Sequence, residues 1–117
     1  MSTHPNAPRL RGSCPWGGID HLTPLGPDAV SVSTPSHGGI WVSPEGLAKI
    51  PAALRETAYS PGPWFEEDCD WAIPYAFLEL ARYESDLERV QMMRRAALDT
   101  LARFHPEAVA LLPKADA

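Results

Sequence analysis

Ala29-Val30-Ser31-Val32-Ser33-Thr34-Pro35-Ser36-His37-Gly38-Gly39-Ile40-Trp41-Val42-Ser43-Pro44-Glu45 reads as strand, loop, strand and helix start, in that order. Ala29 to Ser33 alternates apolar and small polar residues, the period of a half-buried strand. Pro35 to Gly39 breaks that period, and Ile40-Trp41-Val42 resumes it. The natural geometry is an antiparallel pair with the His37 loop at one end. Ser43 can cap free amides, Pro44 suits the first helical position, and Glu45 favours the positive end of the helix dipole. Two or three strands alone are marginal in water, so helices must cover one face. The expected fold is therefore α+β: a small antiparallel sheet of two to three strands, roughly residues 18 to 42, packed against three to four helices.

On the N-terminal side, Trp16 to Leu22 reads as the start of a first strand, and Thr23 to Asp28 is dense in turn formers. On the C-terminal side, Leu47, Ile50 and Leu54 follow at helical spacing, with Pro51 splitting or kinking the segment. Tyr59-Ser60-Pro61-Gly62-Pro63 is a loop. Glu66, Glu67 and Asp68 suit a helix N-terminus. Trp71, Tyr75, Leu78 and Arg82 would then share one side of that helix. Ser85-Asp86-Leu87-Glu88 is a capping box. It opens a helix of about five turns whose stripe is Leu87, Val90, Met93, Ala97, Leu101 and Phe104. This stripe is expected to pack on the sheet. Pro106 begins a last short helix through Leu112. The domain reading is a flexible leader over 1–15, one α+β domain over 16–112, and a tail over 113–117.

Composition narrows the function classes. At 117 residues, the chain suits one domain and holds a core without staples. Fifteen acidic against ten basic side chains give a formal charge of −5, and only two of the basic residues are Lys. A phosphate-binding surface needs clustered cations, so nucleic acid is not the expected partner. A basic protein surface suits the charge better. Cys14 and Cys69 are far apart and form no C-x-x-C pair, which argues for free thiols and against a structural zinc site. Cys69 follows three acids, which makes it a poor nucleophile. No apolar run approaches a membrane span, and no signal-peptide pattern opens the chain. The expected location is cytoplasmic.

Two segments carry the unusual chemistry. Thr34-Pro35-Ser36-His37-Gly38-Gly39 places an imidazole beside two glycines. With positive φ, their amides would form a concave anion site, and His37 would serve there as a base or anion holder. The plainer alternative is a hairpin turn. Trp64-Phe65-Glu66-Glu67-Asp68 supplies carboxylates, of which one or two can reach a common point. One of them, with His37, forms a candidate catalytic pair; His37 and Glu67 are the named candidates. The candidate binding set is His37, Gly38, Gly39, Trp64, Glu66, Glu67 and Asp68. His21, His37 and Asp68 are the metal candidates, although their spacing matches no short metal motif. No cofactor is implied. Trp41, Trp64, Phe65, Trp71 and Tyr75 read as core or as a stacking wall, and Trp16 as the exposed aromatic.

The order T-x-S-H-G-G, then Ser43-Pro44 and Ile50-Pro51, then W-[FY]-E-E-D with Trp71, resembles an uncharacterised family of small proteobacterial proteins often carried on phages and plasmids. The resemblance covers roughly residues 16 to 112 and brings no activity with it. It implies a cytosolic accessory protein of a mobile element. The leading functional expectation is therefore binding to a host protein, for instance inhibition of a bacterial defence complex. The alternatives are a small hydrolase or metal- or anion-dependent enzyme using His37 with Glu66, Glu67 or Asp68, and a structural domain with no active site. The sequence leaves the oligomeric state open.

Overall fold

The structure, a computed structural model, describes residues 4–113. Residues 1–3 of the expected leader and 114–117 of the expected tail lie outside the described residues. The fold is α+β. A short hairpin of β1 (Ser13–Cys14) and β2 (Gly17–Gly18) precedes a four-stranded antiparallel sheet. The sheet comprises β3 (His21–Gly26), β4 (Ala29–Ser33), β5 (Gly38–Val42) and β6 (Trp64–Glu66), neighbours in that order. The α-helices among the described residues are α1 (Pro44–Leu47), α2 (Ala72–Phe77), α3 (Leu87–Phe104) and α4 (Pro106–Leu111), of which α1 and α3 carry side-chain caps. No described helix is long and apolar enough to cross a membrane.

The deciding stretch folds as read. Ser31 faces Ile40 and Ser33 faces Gly38 across the β4–β5 ladder. Ser43 caps α1 by accepting the Gly46 amide at 3.1 Å, with Pro44 in the first turn. Beyond Pro51 the chain continues only as a 3-10 turn, Ala52–Leu54.

Two expectations are corrected. The Trp64 segment is an edge strand rather than a helix start, which brings the sheet to four strands. Phe65 is 1% exposed on the helix side, packed with Ile40, Ile73 and Leu101. Trp64 turns the other way, towards Trp16. Consecutive aromatics on opposite sides suit a strand between two apolar layers. The sheet is also covered on both faces, not one. Val30, Val32 and Trp41 form a second core with Ile19, flanked by Ala7, Cys14, Trp16 and Trp64. The N-terminal segment is the cover for that face, and Trp16 is half-buried within it.

The long helix begins one residue later than the capping box implied. Asp86 is its cap, accepting the amides of Glu88 and Arg89. Val90, Ala97 and Leu101 are buried, whereas Leu87 is 75% exposed. α3 packs mainly on α2 and α4 rather than on the sheet. Between α3 and the sheet lies a cleft, described below.

Gly39 sits in a close approach between its neighbouring strand and the Trp16 ring. A Cβ there would meet the Phe65 carbonyl oxygen and the Trp16 ring, both at 2.4 Å. Backbone cannot give way at that distance. Gly39→Ala is expected to cost about 1–3 kcal/mol through overpacking. Gly18→Ala, where a Cβ meets nothing within 4 Å, is expected to be close to neutral. Urea denaturation of the two variants checks the contrast.

Candidate functional site

The His37 loop is closed by Thr34. The Thr34 amide and hydroxyl both donate to the His37 carbonyl, at 2.8 and 2.7 Å, and the hydroxyl accepts the His37 amide at 3.0 Å. A threonine side chain closing its own turn fixes where the next side chain leaves the backbone. The imidazole rests edge-on against Trp16, with ring centres 5.9 Å apart. Pairing of β5 with β6 sets Gly39 opposite Glu66, and the Glu67 amide donates to Gly38. Strand pairing thus joins the two motif segments, 29 residues apart at His37 and Glu66.

Glu66 is 6% exposed. One of its oxygens accepts the amides of Cys69 and Asp70; the other accepts the Asp68 amide at 2.8 Å and contacts His37 Nε2 at 3.3 Å. Burial alone would push this carboxyl up. The three amides and His37 outweigh burial and hold it below its ordinary value. Glu67 Oε1 faces His37 Nδ1 at 3.4 Å, and Asp68 Oδ2 lies 4.0 Å from Nε2. All three acids of the motif therefore converge on one imidazole. Glu67 and Asp68 are exposed, and His37 is half-buried.

The other candidates fall as follows. Gly38 and Gly39 lie in β5 and form no positive-φ turn; the glycines with positive φ are Gly17 and Gly26. Their expected anion nest is not formed, because strand pairing occupies the segment and carboxylates surround it. His21 is exposed, pairs with Asp20 at 3.0 Å, and stands apart from the His37 cluster. Trp64 packs edge-on to Trp16. Cys69 is buried. Burial first, and then the charges of Glu66, Asp70 and Asp68, push its thiol up to about 11, so it is no nucleophile near neutral pH.

Glu67 also borders a cleft of about 650 Å³ between the sheet and the helices. Thr23, Ser31 and Ser33 line its sheet side and leave space that larger residues would fill. Trp71, Tyr75 and Tyr83 line the other wall, and burial pushes the Tyr75 hydroxyl up. Arg89, paired with Glu84 at 3.4 Å, also lines the cleft.

A second polar cluster went unread in the sequence. Asp70 is fully buried; it accepts the hydroxyls of Thr57 and Ser60 and lies 2.7 Å from His105 Nε2. Ser60 Oγ also accepts the Glu66 amide at 3.2 Å. The serine here meets the aspartate and not the histidine, so the set lacks the order of a nucleophilic triad. It ties the 57–60 loop, the 66–71 turn and the α3–α4 junction together. The partners are up to 35 residues apart, and no local motif links them.

A model of the domain of unknown function DUF7007 matches residues 9–115. The chain belongs to the DUF7007 family. No curated protein and no solved structure matches it.

Glu66→Gln leaves buried amides facing a group that is half donor. A cost of about 2 kcal/mol is expected at neutral pH, the scale of hydrogen bonds to a charged group. The folded carboxyl titrates below its ordinary value of 4.5. Its stabilisation is therefore fully present above that value and is lost as pH falls through the folded one. Thermal melts of wild type and variant should differ most near pH 7 and converge only as the pH falls well below 4.5.

Proposed function

We propose that this protein is an accessory protein of a mobile element that acts by binding a host protein, through the acid-rimmed His37 loop and the cleft it borders. What carries this reading is the convergence of the two motif segments. They meet at one place and leave Glu67 and Asp68 exposed, with Glu67 shared between the His37 cluster and the cleft. The partner surface this favours is basic. Exposed carboxylates beside aromatic walls accept the charged head and the apolar stem of a Lys or Arg together. The net charge of −5 steers the same partner class. The mobile-element setting rests on the sequence resemblance, and a defence complex is the host target it favours.

A second reading has its own support. His37, Glu66 and Asp68 place three ligand-type atoms within 4.8 Å of one another. A small metal-dependent hydrolase would use such a set as ligands, with Glu67 beside it as the proton acceptor. The anion-dependent form loses its basis with the glycine nest.

Reversing the exposed charges separates the readings. Glu67→Lys with Asp68→Lys should leave the fold intact and abolish a stoichiometric complex captured from host lysate by the tagged wild type. An unchanged complex would remove this surface from the binding account. Turnover of a hydrolysable ester or phosphate substrate that disappears in His37→Ala would favour the enzyme.

A further inference from the structure

We infer that His37 Nε2, Glu66 Oε2 and Asp68 Oδ2 form a site for one divalent first-row cation, of the Zn²⁺ or Mn²⁺ kind. The inference deepens the second reading above and does not depend on the partner-binding one.

The separations carry it. Nε2 lies 3.3 Å from Oε2 and 4.0 Å from Oδ2, and the three atoms all lie within 4.8 Å of one another. Ligands bonded at about 2.0–2.1 Å around a tetrahedral ion sit about 3.3 Å apart. Two of the donors already have that spacing. The third belongs to Asp68, whose side chain is 73% exposed and free to close the remaining gap.

Charge argues in the same direction. Three carboxylates surround one imidazole, and among the described residues no Lys or Arg forms an ion pair with any of them. A cation between Nε2 and Oε2 takes the place of the proton that the ring shares with Glu66. It offsets the mutual repulsion of the three carboxylates. The surroundings are prepared for it as well. Glu66 is fixed by three amides, and Trp16 holds the ring. With Nε2 on the ion, Nδ1 carries the ring proton, and Glu67 Oε1 at 3.4 Å is its nearest carboxylate. Outer carboxylates of this kind orient ligating histidines. A nitrogen in the donor set favours Zn²⁺ over Mg²⁺ and Ca²⁺, which prefer oxygen throughout, and the two carboxylates suit Mn²⁺ as well.

The test is calorimetric titration of the full chain with ZnCl₂, MnCl₂ and MgCl₂. A Cys14→Ser background removes the half-buried thiol as a competing ligand. One equivalent of Zn²⁺ or Mn²⁺ should bind, more tightly than Mg²⁺. Asp68→Asn should weaken binding at least about tenfold without moving the melting temperature, since that side chain is exposed. The ring nitrogens of His37 should shift in ¹⁵N spectra on addition of Zn²⁺. Absence of binding in wild type, or equal affinity in Asp68→Asn, would overturn the site. Ion binding without any hydrolytic turnover would leave the site standing and remove only the hydrolase.

Discussion

Two buried carboxylates, Glu66 and Asp70, hold this structure together at one turn. Each leaves water, which is costly for a charge unless hydrogen bonds replace its solvation. Glu66 recovers it from three backbone amides and His37, and Asp70 from two hydroxyls and His105. Ser60 joins the two systems by accepting the Glu66 amide while donating to Asp70. Among the described residues no buried side-chain nitrogen or oxygen lacks a partner. Removing one member of such a set costs about 1–3 kcal/mol for each buried group left unpaired. That is a large share of the stability of a small domain.

Everything near the candidate site follows from that turn. Because Glu66 points inward and caps the chain ahead of it, Glu67 and Asp68 are forced outward on either side of His37. Because Asp70 anchors His105, α3 and α4 are held at their junction and α2 starts at a fixed place. The helices then stand off the sheet and leave the cleft, whose sheet side includes the small residues Thr23, Ser31 and Ser33. The same four acids thus divide into two that build the fold and two that face the solvent.

Much of the fold was legible because its signals are local. The Ala29–Val42 alternation, the Ser43-Pro44 start, the break at Pro51 and the α3 stripe each depend on neighbours a few residues apart. What was not legible depends on distant partners. Trp64-Phe65-Glu66 is strand only because β5 offers an edge and two apolar layers wait on either side. The second core depends on Trp16 and Ile19 folding back across the sheet. In the site, the meeting of His37 with Glu66, Glu67 and Asp68 was posed from residue chemistry, and strand register realises it. The role of Gly38 and Gly39 was misread. They are small because the Val32 carbonyl at Gly38, and the Phe65 carbonyl and Trp16 ring at Gly39, pass close by, and a close approach leaves no mark in a sequence beyond the glycine itself. Asp70 looked like one more acid in a run, and nothing near it announced Thr57, Ser60 or His105.

The central claim is that the Glu66 carboxylate cages the turn that presents the site. Native-state hydrogen exchange tests it most directly. The amides of Asp68, Cys69 and Asp70 should be protected close to the level of global unfolding in wild type. In Glu66→Gln they should lose more protection than the β4–β5 ladder, which should fall only by the loss of global stability. Fast exchange of these three amides in wild type, or no change in the variant, would contradict the account.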